Sequence, residues 1–104
     1  EITRLCAEAM GLDFEFEDEH GNATSECFSF GKWGRYLYDP LHDDAQAMAL
    51  VKEFRLNIAP EHNAVWSVWD SRLWPEGETH ADRNDLNRAI CECVAKMQKD
   101  KHER

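Results

Sequence analysis

Six apolar residues recur at helical spacing late in the chain: Leu86, Ala89, Ile90, Cys93, Val94 and Met97. Residues at i, i+3, i+4 and i+7 share one side of an α-helix. The stripe therefore predicts a helix from about Asp82 or Asp85 to Lys99, with a face that other elements must cover. Lys96, Lys99 and Lys101 suit the negative end of its dipole. A second helix is predicted from about Asp43 to Arg55, with a core stripe of Ala47, Leu50, Val51 and Phe54. Nearly opposite lie Ala45, Met48 and Ala49, continuing to Lys52, where a solvent-facing side would normally carry charge. Either the first or last helix covers this outer stripe within the chain, or a partner does.

The remaining segments alternate. A first helix, Ile2 to Met10, places Ile2, Leu5, Cys6 and Ala9 on one face and ends at Gly11, where a left-handed cap belongs. In "DFEFED", Phe14 and Phe16 share one face of a strand. "EHGNATSE" reads as a polar turn, and "CFSFGKWGRYLY" as one or two strands with a tight turn or bulge at Gly31 and Gly34. "VWSVWD" reads as a strand covered on both faces, and "SRLWPEGETH" as a loop. The fold class expected is α+β: helices packed on a small antiparallel sheet of three or four strands, in the order α-β-β(-β)-α-β-α. At 104 residues the chain is the size of one domain, spanning 1–104.

Charge limits the function. A net charge of −9 argues against direct nucleic-acid binding, because neutralising phosphates requires Lys and Arg. Carboxylates keep small cytosolic proteins soluble, and that ordinary role comes first; they also allow attraction to a basic protein groove. No run of 18 apolar residues exists to span a membrane, and no basic start followed by an apolar stretch marks a signal peptide. Cys6, Cys27, Cys91 and Cys93 contain no C-x-x-C pair. Cys91 and Cys93 stand about 200° apart on a helix, so they cannot chelate one ion together. Free buried thiols of a reducing cytoplasm are expected, with a Cys6–Cys27 disulfide as the alternative. The helix phase puts Cys93 in the core and Cys91 nearer the surface.

Three segments carry a resemblance: "YDPLHDDAQAMALVKEFRLNI", "AVWSVW" and "ADRNDLNRAICECVAKM". Together, from about Trp33 to Met97, they resemble the phage ABA sandwich domain, a family of small phage and prophage proteins. There a Tyr-x-Pro-Leu-x-Asp-Asp-Ala segment opens a helix and an Arg-Ala-Ile-Cys segment lies on the closing one. The resemblance implies an α/β/α sandwich-like fold and a phage or prophage origin. It implies no activity.

His42, Asp43 and Asp44 cluster where the second helix begins. Pro40 fixes φ, and the two acids offer carboxylates to the unpaired N–H groups of the first turn. A metal site would need further ligands, and His20, His62 and His80 to Asp82 fall in expected loops. No Walker loop, G-x-S-x-G, H-E-x-x-H or dinucleotide fingerprint is present. The expectation is therefore no enzyme, no catalytic, metal or cofactor site, and no cofactor. A small metal-dependent enzyme using His42, Asp43 and Asp44 is the competing class.

Trp33, Tyr36, Tyr38, Trp66, Trp69 and Trp74 exceed what one small core usually needs, and such side chains anchor protein interfaces. Trp74, before Pro75, is the candidate exposed anchor, beside the outer stripe of Ala45, Met48 and Ala49. The function expected is a small acidic phage accessory protein in the host bacterial cytoplasm. It binds a host or phage protein, with inhibition of host defence of the anti-CRISPR kind as one such role. The alternative is a homodimeric structural or accessory protein.

Overall fold

A computed structural model describes residues 1–32, 34–61, 65–70, 79–82 and 85–102. In chain order its elements are α1 (Ile2–Ala9), β1 (Phe14–Glu17), β2 (Ala23–Gly31), β3 (Gly34–Leu37), α2 (Asp44–Phe54), β4 (Asn57–Glu61), β5 (Val65–Trp69), β6 (Thr79–Asp82) and α3 (Leu86–His102). Every strand pair is antiparallel, and the fold class is α+β as expected. Among the described residues the strands form two sheets of three, β1-β2-β3 and β4-β5-β6, where the sequence suggested one sheet.

The α1 helix stops at Gly11, whose φ is +70°. The N–H of Gly11 bonds to the carbonyl of Glu8, and that of Leu12 to the carbonyl of Ala7, which satisfies two of the orphan carbonyls at the helix end. The turn before β2 is shorter than its polar sequence suggested. The Asp18 carboxylate accepts from the N–H groups of His20 and Asn22, and Ala23 already pairs with Glu17. Between β2 and β3, the ladder runs as far as the pairing of Gly31 with Gly34, so the two strands meet closely there. The backbone of Gly31 is closely approached: a Cβ there would stand 3.1 Å from Cε1 of Tyr36, whose ring would have to give slightly.

In the second half, β4 and β6 correct the sequence reading, which left Asn57–Glu61 unassigned and Thr79–Asp82 in a loop. Pro60 breaks the alternation that marks a strand, yet β4 lies at the sheet edge, where proline is tolerated. Thr79–Asp82 pairs with Val65–Val68 through backbone groups, which a polar sequence supplies as well as an apolar one.

The α3 helix organises the core. It packs against α1, α2, β5 and β6. One cluster of buried side chains joins Cys6 of α1, Cys27 of β2, Tyr38 after β3, Leu50 of α2, Val68 of β5, and Ile90 and Val94 of α3. Cys91 is as fully buried as Cys93, contrary to the surface position expected from helix phase. The reason is that α3 is covered on two sides: α1 lies over one, and the β4–β6 sheet takes another.

Candidate protein-binding surface

In the β1–β2–β3 sheet, the central strand β2 turns its large side chains away from the core. Side chains alternate along a strand, so β2 separates Cys27 and Ser29 from Phe28 and Phe30. The small pair points inward. Cys27 and Ser29 are buried, and the Ser29 hydroxyl is satisfied by donating to the carbonyl of Asp13 at 2.8 Å. Phe30 is 51% exposed. Directly opposite Phe28 on β3 stands Leu37, 43% exposed, and opposite Phe30 stands Arg35. Glu15 of β1 faces Phe28 from the other side. Phe30 and Leu37 therefore form an open apolar face beside the half-buried Phe28, although β2 contains polar positions that would ordinarily turn outward.

Arg35 braces this face. Its guanidinium carbon lies 3.8 Å from the ring centre of Phe28, Nε donates to Glu15 at 3.2 Å, and a terminal nitrogen donates to the Glu17 carbonyl. The arrangement holds Phe28 under a cation already matched by Glu15, while Phe30 and Leu37 keep their apolar surface to solvent. On the opposite face, Phe14 and Phe16 meet edge to face at 6.1 Å, and Arg4 of α1 lies over Phe16, which ties the sheet to the rest of the fold.

The outer stripe of α2 is a second open patch. Ala45 and Ala49 are exposed and Met48 is 43% exposed, so neither α1 nor α3 covers them. Gln46 joins the two patches. Its amide nitrogen donates to the Leu37 carbonyl at 3.0 Å and its amide oxygen accepts from Asp39 N–H at 2.6 Å, docking the first turn of α2 at the end of β3. Trp74, the other anchor expected from the sequence, lies outside the described residues.

The His-Asp-Asp cluster is engaged in starting α2. Asp43 is the N-cap and accepts the Gln46 N–H at 3.0 Å. Asp44 accepts from Asn87 at 2.8 Å, linking α2 to α3, while His42 turns back to Asp39 at 2.9 Å. The three side chains take three different partners. Among the described residues no three His, Cys, Asp or Glu side chains converge as a metal site.

Sequence reasoning missed Phe28, Phe30 and Leu37. The signal lay in the register of "CFSF": once Cys27 is placed in the core, period two sends both Phe side chains outward. Compared with known proteins, the chain matches no family model, no curated protein and no solved structure. Among the described residues no helix is long and apolar enough to cross a membrane.

Proposed function

We propose that this chain is a small acidic accessory protein that acts by binding another protein. The observation that carries the reading is the reversed β2 strand, with Ser29 buried and Phe30 open beside Leu37. Burying an apolar face is the main favourable term in association, and aromatic side chains supply much of it. With a net charge of −9, the partner of complementary charge is a basic protein, whose Lys and Arg would ring the apolar contact. The resemblance to the phage ABA sandwich domain supports a phage or prophage origin. With it comes a role on a host or phage protein in the bacterial cytoplasm, including inhibition of a host defence of the anti-CRISPR kind.

A second reading rests on the open α2 stripe of Ala45, Met48 and Ala49: a homodimer in which two such stripes meet. Small residues allow close backbone approach, and Met adapts to a partner surface. The test uses both patches. A partner is captured from phage-infected cells, identified, purified, and titrated against the Phe30→Glu/Leu37→Glu double variant and against Met48→Glu. The sheet-face reading expects the double variant to lose binding, Met48→Glu to retain it, and affinity to fall as salt rises. Sedimentation of the chain alone decides the dimer, which Met48→Glu would dissociate. Unchanged partner affinity in the folded double variant would overturn the sheet-face reading.

A further inference from the structure

The thiol of Cys6 donates to the backbone carbonyl of Cys91 at 3.4 Å, between fully buried residues 85 apart in the chain. The two thiols also lie within hydrogen-bonding reach of each other. We propose that Cys6 and Cys91 form an oxidisable clasp, which a hydroperoxide converts into a disulfide tying α1 to α3.

Geometry selects this pair among the four thiols. Cys93 stands about 200° around α3 from Cys91, on the side where its sulfur takes a hydrogen bond from the backbone of Asp70. Cys27 sits on β2, where its carbonyl is held by the Tyr38 N–H at 2.8 Å. The Tyr38 hydroxyl is buried close to Cys6, Cys91 and Cys27 and has no hydrogen-bond partner among the described residues. An unpaired donor at that place suits an oxygen carried on one of the sulfurs.

Closed, the pair is inert. The hydrogen bond with Cys6, then burial, then nearby negative groups push the Cys91 thiol far above its ordinary value, so it stays protonated at neutral pH. Reaction begins when α1 opens. This helix has only eight residues and depends on packing against α3, so it belongs to the low-stability end of the fold. Released, Cys6 meets solvent, and its thiolate attacks one peroxide oxygen. The S–O bond forms, the O–O bond breaks, and the departing hydroxide takes a proton to become water. When α1 closes, Tyr38 donates to the sulfenic oxygen and the Cys91 sulfur attacks the Cys6 sulfur. The S–S bond forms, the S–O bond breaks, and the Cys91 proton leaves with that oxygen as a second water. Two thiols and one peroxide give one disulfide and two waters, with two electrons passing from sulfur to oxygen.

The experiment treats the full chain with hydrogen peroxide, alkylates the remaining thiols and maps linked peptides by fragmentation mass spectrometry. The expected product joins Cys6 to Cys91, leaves Cys27 and Cys93 alkylated, and raises the melting temperature by about 10 °C or more, because so long a loop is closed. Dithiothreitol reverses both changes. Cys27→Ser keeps the link and the rise; Cys91→Ser loses both, with circular dichroism confirming that it folds. Should Cys91→Ser fail to fold, the peptide map and Cys27→Ser decide. A link from Cys6 to Cys27 or to Cys93 overturns the proposal. So do four thiols that stay reduced where the unfolded chain is readily oxidised.

Discussion

The guanidinium of Arg35 lies over the ring of Phe28, and the same side chain reaches Glu15 and the Glu17 carbonyl on β1. One residue of the edge strand β3 thus spans the sheet to β1 across the face of β2. An exposed cation–π contact contributes about 0.5–1 kcal/mol, and a partly exposed ion pair about 0.2–1 kcal/mol. Arg35→Ala is expected to lower stability by about 1 kcal/mol in urea unfolding. Arg35→Lys should restore only part, because an ammonium cannot hold two partners in a planar fork. Full restoration by Lys would mean that charge alone matters here.

At the start of α2, Asp43→Ala is expected to cost about 0.5–2 kcal/mol through loss of the N-cap. Asp44→Ala should cost less, about 0.3–1 kcal/mol, since it keeps that cap and loses a dipole contact and the exposed bond to Asn87. Metal content measured on the purified protein should be the same for both variants and the parent. Stoichiometric metal lost with either substitution would return the cluster to the competing metal-site reading.

At the other end of α2, Arg55 holds φ at +53°, a left-handed conformation unusual for a residue with a Cβ. Arg55→Gly removes that strain while keeping the N–H bond to the Val51 carbonyl. The expected effect is a stability gain of about 0.5–1 kcal/mol, visible as a raised denaturation midpoint. A loss of that size would show that the arginine side chain itself stabilises the helix end.

Native-state labelling tests the burial of α3. Burial pushes the Cys93 thiol up to about 11, and both Cys91 and Cys93 are fully enclosed. A thiol reagent at neutral pH should therefore modify both slowly, at rates set by opening of the structure. Immediate labelling of Cys91 alone would mean that α1 does not cover it.

Acid should loosen the turn between β1 and β2 early. The backbone N–H groups of Asn22 and His20, both donating to the Asp18 carboxylate, hold its pKa below the ordinary 3.8. A carboxyl depressed in the folded state contributes stability above 3.8, and that contribution is lost as pH falls through the lower folded value. Amide exchange at His20 and Asn22 should accelerate in that window, ahead of exchange in α3. In Asp18→Asn the step should disappear.

Much of the architecture was legible because it rests on local pattern. The stripes of α2 and α3, the Gly11 cap, the Asp43 cap and the tight turn or bulge expected at Gly31 and Gly34 each depend on residues a few positions apart. The misses have a common origin. β4 and β6 are held by ladder bonds to β5 and carry no alternation of their own, so only the presence of β5 makes them strands. Cys91 was misplaced because helix phase tells which residues share a side, and cannot tell that a second helix covers another side.

The candidate surface divides in the same way. The sequence by itself determined that Ala45, Met48 and Ala49 leave the α2 core stripe, since 3.6 residues per turn settles that at any helix. Only the tertiary structure decided that, among the described residues, neither α1 nor α3 covers them. It likewise decided which side of "CFSF" is the inner one. Period two couples Cys27 to Ser29 and Phe28 to Phe30, yet alternation is symmetric and would allow either pair to face in. The choice is made by distant groups: the Asp13 carbonyl that receives the Ser29 hydroxyl, the Tyr38 N–H that bonds to Cys27, and Arg35, which occupies the outer side of Phe28. A buried hydroxyl needs a partner, and only the assembled chain supplies one.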